Sequence, residues 1–138
     1  MTYLLDANVI IGILNERPPI LRKRFAKVIA GGDSILTSSV VMHELWFGVF
    51  KSAKVRANSD LLRSFRSGPI EVLDVQEEDA VLAGELRANL KIDGTPIGPY
   101  DLLIAAQAIR SDTTLVTSNT REFSRLPDLK LVDWTLAS

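Results

Sequence analysis

The sequence contains no cysteine, a single histidine (His43) and no long apolar run, and each absence narrows the possible functions. Without cysteine there is neither a disulfide nor a thiolate metal site, so any metal would be held by oxygen ligands or by His43. No segment reaches the roughly 18 consecutive apolar residues of a membrane helix. The apolar N-terminus carries Asp6 at its middle and no basic leader, which disfavours a signal peptide. We therefore expect a soluble cytoplasmic protein.

The residues that are present are typical of one globular domain. The 138 residues are 46% apolar and 24% charged, with no repeat, low-complexity tract or linker, which predicts a single domain over residues 1–138. The net charge of -1 hides an asymmetry: residues 1–70 hold ten Lys and Arg against five acids, and residues 71–138 hold six against twelve. This layout suits a polyanion bound beside an acidic cation site, or simply solvated helix faces.

Short apolar runs alternate with longer periodic segments along the chain. The pattern predicts strands at 3–5, 34–37, 70–75, 115–117 and 129–132, and helices over 9–14, 20–30, 40–52, 54–65, 77–91 and 101–109. In the third of these helices we expect Val41, Leu45 and Phe50 to lie near the core. The alternation of strand and helix is typical of an α/β sandwich with a mainly parallel sheet and helices on both faces.

Three carboxylates adjoin the carboxyl ends of these predicted strands, where open α/β sheets bind their ligands. Asp6 follows the first strand, Glu44 lies early in the helix after the second, and Asp101 begins a nearly all-apolar helix. Each has a structural alternative. Asp6 could cap the helix at Val9, although Asn8 could do so instead, and Asp101 could cap its own helix. Glu44 could be a solvated helix residue.

Taken together, the three acids are better explained by a cation. Like charges at one edge of a sheet would repel and raise each other's pKa unless a cation neutralised them. An all-oxygen site suits Mg²⁺ or Mn²⁺, which can activate a water and neutralise charge on a phosphodiester. His43 is expected to be a surface or capping residue. The chain has no P-loop, dinucleotide fingerprint or nucleophile elbow, so a nucleotide kinase or an α/β hydrolase is not supported.

Four segments, in order and at matching spacing, resemble the motifs of the PIN-domain ribonucleases, and within them the toxins of bacterial VapBC toxin–antitoxin modules. They are LLDANV at 4–9, SVVMHELWFGV at 39–49, IGPYDLLIAA at 97–106 and LVTSNTREF at 115–123, followed by a closing strand in LVDW at 131–134. Three positions depart from the family pattern. Ala7 replaces a frequent Thr or Ser, and Tyr100 replaces a small polar residue. Asn119 stands where many members have Asp, with Glu122 one turn further as a possible fourth carboxylate.

The resemblance implies a three-layer α/β/α sandwich with a mainly parallel sheet of about five strands. It also implies a Mg²⁺- or Mn²⁺-dependent endoribonuclease that cleaves structured RNA, often tRNA. Asp6, Glu44 and Asp101 would hold the metal, and Asn119 and Glu122 would orient water or a second ion. Lys and Arg residues between positions 17 and 66 would hold phosphates.

The resemblance further implies a homodimer and a cognate VapB-type antitoxin whose C-terminal tail covers the active site, often through an arginine. The apolar and aromatic strip LWFGVF at 45–50 is either a docking groove for that tail or core packing. Asn119 keeps open an alternative, in which a weakly active or inactive PIN module works mainly as an antitoxin-binding partner on operator DNA. A phosphatase or DNA nuclease that uses the same acids is a third reading.

Overall fold

Five parallel strands form the centre of the fold, which a computed structural model describes over residues 1–136. The last two positions of the predicted domain 1–138 lie outside the described residues. The strands are β1 (Thr2–Leu5), β2 (Ser34–Ser38), β3 (Glu71–Leu73), β4 (Thr114–Val116) and β5 (Lys130–Val132). The helices are α1 (Ala7–Asn15), α2 (Pro19–Ala30), α3 (Ser39–Lys51), α4 (Val55–Arg66), α5 (Glu77–Asp93), α6 (Pro99–Arg110) and α7 (Thr120–Phe123).

The strand order is β3-β2-β1-β4-β5, and every neighbouring pair is parallel. The chain therefore moves outward from β1 to β3 and then crosses back to β4 and β5. Right-handed crossovers place α1 to α4 on one face of the sheet and α5 and α6 on the other. Packing agrees, because α1 contacts α2, α3 and α4 while α5 contacts α6 most extensively. The predicted three-layer α/β/α sandwich is confirmed.

The core is centred on the two middle strands. Leu4 and Leu5 of β1, and Leu115 and Val116 of β4, are fully buried. Helix α6 packs closely against this layer because its inward positions include small residues such as Ala105. Full burial of a large aliphatic side chain contributes about 1.5–3 kcal/mol to stability. These contacts hold the ends of β1 and β4 side by side, at the point where the strand order reverses.

Several details differ from the sequence-based predictions. Phe50 is 67% exposed, because Leu45 and Val49 occupy the core-facing side of α3 and Phe50 lies about 100° further round the helix. Helix α6 begins at Pro99 rather than Asp101, since proline is favoured at the first helical position. The short helix α7 was not predicted. Among residues 1–136, no helix is both long enough and apolar enough to cross a bilayer.

Candidate metal centre

Asp6 lies directly after β1 and has two structural partners. Its Oδ1 accepts a hydrogen bond of 2.8 Å from the backbone N–H of Asn8, so Asp6 is the N-cap of α1. Its Oδ2 accepts a hydrogen bond of 2.6 Å from the hydroxyl of Thr117. The possibility that Asn8 caps the helix and leaves Asp6 free is therefore wrong. The carboxylate of Asp6 thus caps α1 and is held in one orientation at the end of the sheet.

Thr117 is a site residue that sequence reasoning missed. It is fully buried directly after β4, and its hydroxyl also accepts a hydrogen bond of 3.0 Å from the backbone N–H of Asn119. The Asp6–Thr117 contact joins the ends of β1 and β4, where the strand order reverses and where such sheets bind their ligands. The rule that selected Asp6, a polar residue immediately after a strand, missed Thr117 because the predicted strand 115–117 includes it, whereas β4 ends at Val116.

Glu44 and Asp101 reach this edge from two helices. Ser38 ends β2 and caps α3 by accepting a hydrogen bond of 3.0 Å from the N–H of Val40, which places Glu44 in the second turn of α3. Asp101 lies in the first turn of α6, whose N-cap is Gly98, so the capping alternative for Asp101 is wrong. Both carboxylates are half-buried, and within residues 1–136 neither forms a salt bridge.

The three carboxylates share one electrostatic environment. Burial raises the pKa of Asp6, although the hydrogen bonds from Thr117 and Asn8 partly offset this. Burial, and then the charges of Asp101 and Asp6, raise the pKa of Glu44, while His43 lowers it. The pKa of Asp101 is raised by burial, Asp6 and Glu122. Negative charge is thus concentrated at this edge, where it disfavours the ionised forms of Glu44 and Asp101.

Asn119 and Glu122 form a pair beside these acids. The side-chain amide of Asn119 donates a hydrogen bond of 3.1 Å to Oε2 of Glu122. Asn119 precedes α7 without capping it through its side chain, and Glu122 lies within that helix. Because the backbone N–H of Asn119 donates to the Thr117 hydroxyl that contacts Asp6, the pair lies at the same edge of the sheet as that acid.

The donor set fits a hydrated divalent ion better than a tight protein cage. In the part of the chain that the structure describes, no three acidic or histidine side chains converge as a ready-made metal site. Mg²⁺ usually keeps several waters and binds through one or two carboxylates, so complete convergence is not required. Half-buried carboxylates that form no salt bridge within residues 1–136 would supply oxygen ligands and charge for such an ion. His43 is exposed, as expected, and its ring lies edge-on to Tyr100 with centroids 5.8 Å apart.

An apolar groove begins at this centre. It is a cavity of ≈ 250 Å³ between α1, α3 and α4, and Glu44 is part of its wall. Leu45 and Val49 line the groove, whereas Phe47 and Phe50 are exposed. The strip at 45–50 thus has two sides, one facing the groove and one facing solvent.

Comparison with known proteins identifies the family. The chain matches the model of the PIN domain over residues 3–129. This chain belongs to the PIN-domain family. Among relatives of this PIN domain, ribonuclease VapC2 of Rickettsia felis is 39% identical over 97% of this chain and 98% of its own length. The tRNA(fMet)-specific endonuclease VapC of Salmonella typhimurium is 35% identical over the same shares.

A solved structure gives the same assignment. The crystal structure of VapBC2 from Rickettsia felis, bound to a DNA fragment from its promoter, contains a chain that superposes on this PIN domain with a TM-score of 0.89. The two are 38% identical, and the match covers 97% of this chain and 99% of that one. The predictions of a PIN-domain protein of the VapC type, of its fold and of a nuclease are confirmed.

Proposed function

We propose that this PIN domain is a Mg²⁺- or Mn²⁺-dependent endoribonuclease and the toxin of a toxin–antitoxin pair. One observation carries the proposal. Burial, and then the charges of Asp101 and Asp6, raise the pKa of Glu44, and burial and then the charge of Asp6 raise that of Asp101. None of these three acids, which lie at the switch point of the sheet, forms a salt bridge within residues 1–136. When bound, a divalent cation supplies an activated water and neutralises charge that builds up on the phosphodiester.

The protein residues then have distinct roles. Asp6 is a metal ligand whose carboxylate Thr117 holds in one orientation, so the ligand is ordered before the ion arrives. Glu44 and Asp101 are the other ligands and approach from opposite sides. Asn119 and Glu122, joined by their hydrogen bond, orient a water or a second ion. We propose these five residues as the site.

The substrate class follows from the relatives and from the charge distribution. One relative is named as an endonuclease specific for tRNA(fMet), and we propose a structured RNA such as tRNA as the substrate here. The excess of Lys and Arg in residues 1–70 supports phosphate contacts beside the acidic centre. Since such RNA acts in the cytoplasm, we propose that location for the enzyme.

The groove supports an antitoxin as partner. The structures of relatives are complexes named VapBC, and we propose a VapB-type partner for this chain. An apolar peptide segment fits the lining of the groove, which includes Ile11, Leu14 and Leu62. Because the groove ends at Glu44, a basic residue of that segment would meet the carboxylates, and guanidinium pairs with carboxylate in a bidentate geometry. The homodimer that the resemblance implies stays a prediction, which sedimentation velocity checks.

The experiment compares the parent chain with Asp101→Asn on total tRNA, on single-stranded DNA and on a small phosphodiester. The parent should cleave RNA with Mg²⁺ or Mn²⁺, stop in EDTA and recover when the metal returns. Asp101→Asn should lose this cleavage and keep its circular dichroism spectrum, whereas Asp128→Asn, an exposed acid elsewhere, should match the parent. Intact RNA at every metal concentration would favour the binding-module alternative, and preferred cleavage of DNA or of the small ester would favour the third reading.

A further inference from the structure

The outer side of α3 carries an aromatic ridge, formed by Trp46, Phe47 and Phe50, that the proposed metal centre does not use. Phe47 and Phe50 are 61% and 67% exposed. The rings of Trp46 and Phe50 are stacked, with centroids 5.6 Å apart and an angle of 28° between their planes. Large apolar side chains clustered on a surface in this way mark a binding site more often than isolated ones do.

Cations surround the aromatic ridge. The Nζ of Lys51 lies 5.0 Å from the centre of the Phe47 ring, and the Cζ of Arg63 lies 5.0 Å from the centre of the Trp46 ring. An open cavity of ≈ 380 Å³ adjoins the ridge, and its lining contains two arginines and no acid. That lining is Met42, Trp46, Arg63, Arg66 and Ser67. Aromatic faces and positive charge are therefore combined on one surface.

We propose that the aromatic ridge is a stacking platform for unpaired bases of the RNA substrate, with Lys51, Arg63 and Arg66 contacting the adjacent phosphates. The inference rests on the proposed ribonuclease function. Proteins bind single-stranded loops of RNA by stacking bases on aromatic rings and guanidinium planes, within a basic surface that follows the backbone. The ridge offers both aromatic rings and adjacent cations. It would therefore bind unpaired bases in preference to a duplex, without selecting one particular base.

The position of the ridge suits the proposed reaction. Glu44 and Phe50 lie on the same helix, roughly 9 Å apart along its axis. A strand whose phosphate sits at the centre therefore brings neighbouring nucleotides to the ridge. A second copy of the chain fits this surface less well. In a two-fold interface through the ridge, Lys51 and Arg63 would face a surface carrying the same cations, and such like-charge contacts are unfavourable.

Trp46 supplies a direct measurement of binding. The chain has two tryptophans, and Trp134 is 3% exposed while Trp46 is only half-buried. Asp101→Asn is titrated in Mg²⁺ with an RNA stem-loop that has an unpaired loop, and with a blunt duplex of the same stem. The stem-loop should quench the tryptophan emission, and Trp46→Phe in the same background should remove that quenching. The duplex should quench far less.

Substitutions on the ridge separate stacking from simple apolar contact. In the cleavage-competent chain, Phe47→Ser and Phe50→Ser should each raise KM for RNA about tenfold, from the strength of one base–aromatic contact, and leave kcat unchanged. Phe50→Tyr should retain the parent KM, whereas Phe50→Leu should behave as Phe50→Ser. Val81→Ser is the matched control, because Val81 is 68% exposed on α5 and should be neutral.

Two results would overturn the proposal. One is equal stem-loop affinity of Asp101→Asn with and without the serine substitutions. The other is a drop in sedimenting mass in the serine variants without a change in monomer affinity, because the ridge would then bind a second copy. Failure of the proposed function is a separate outcome, since a parent that never cleaves RNA can still be tested for stem-loop binding and quenching.

Discussion

The hydroxyl of Thr117 connects the two middle strands of the sheet through a single carboxylate. It donates to Asp6 and accepts from the N–H of Asn119, so it touches both the first proposed ligand and the segment that carries the Asn119–Glu122 pair. Removing a residue that holds a metal ligand in position typically lowers metal affinity or activity by about 10–100-fold. We therefore predict that Thr117 is a positioning residue for the proposed ligand Asp6.

Thr117→Val tests this role, because valine keeps the shape of threonine and removes the hydroxyl. We expect cleavage and Mn²⁺ affinity, measured by titration calorimetry, to fall by about 10–100-fold. The two unpaired groups left behind should also cost about 1–3 kcal/mol of unfolding free energy. Thr117→Ser restores the hydroxyl and should recover most of both losses. A valine variant with the affinity of the parent would contradict the role.

A second prediction concerns pH and metal removal. Glu44 and Asp101 have raised pKa values in the fold, so the folded protein binds protons more tightly than the unfolded chain does. In EDTA the parent should therefore lose stability as pH rises from the ordinary carboxyl range through the raised values. Asp101→Asn should flatten this loss and raise Tm at neutral pH, as thermal unfolding across a pH series would measure.

Metal should reverse the same effect. Mg²⁺ or Mn²⁺ binds the folded state in preference to the unfolded chain and should raise the Tm of the parent with increasing concentration. Asp101→Asn, which lacks a proposed ligand, should respond weakly. If both chains gained the same Tm on adding metal, Asp101 would not be a ligand.

At the scale of elements, α5 and α6 are joined, away from the metal centre, by an ion pair in which the acid is buried and the arginine is partly exposed. Asp79 is 4% exposed and caps α5 by accepting a 2.8 Å hydrogen bond from the N–H of Gln76. It also accepts a 2.6 Å hydrogen bond from Arg110 at the end of α6. This pair fixes one end of α6, and Asp101 lies at the other end.

Asp79→Ala should destabilise the fold by about 1–3 kcal/mol, because it removes the hydrogen bonds to the N–H of Gln76 and to Arg110, whose partly exposed guanidinium can be solvated instead. The urea midpoint measures this. Glu78→Ala is the matched control, since its carboxylate lies 4.0 Å from Arg110 and is mostly exposed, and it should change stability by about 0–1 kcal/mol. Metal affinity at temperatures where both variants are folded should match that of the parent.

The elements also show what could be predicted from the sequence. Apolar runs located all five strands because a parallel sheet is buried on both faces, and polar residues after those runs located Asp6. Thr117 was missed because a threonine at the end of an apolar run is typical of the strand itself. Phe50 was placed inside because it is apolar, but helix geometry puts it on the solvent side. The four-residue helix α7 is too short to show periodicity.

At the scale of the whole molecule, sequence could place the acids at one edge of a sheet but could not give their separation. That separation depends on how α3 and α6 pack, which is a property of the assembled core. The charge asymmetry was visible in the sequence, and it leads to a prediction for the intact protein. RNA affinity should fall steeply as salt rises, because binding to phosphates releases counterions.

The salt dependence is measured as the slope of log affinity against log salt for the stem-loop. Arg63→Ala and Arg66→Ala should each reduce the magnitude of the slope by about one phosphate contact. Arg87→Ala, an exposed arginine on α5, should leave the slope unchanged. Equal slopes in all three variants would mean that the cations of α4 do not contact RNA.

The contact between Asp6 and Thr117 has a consequence for the synthesis of the protein. The first proposed ligand, Asp6, precedes by 111 positions the residue that orients it, Thr117, which reaches it only after β4 has been added to the sheet. A growing chain on the ribosome therefore carries Asp6 and Glu44 long before the proposed centre can form. We therefore expect a chain truncated before Thr117 to show no RNA cleavage.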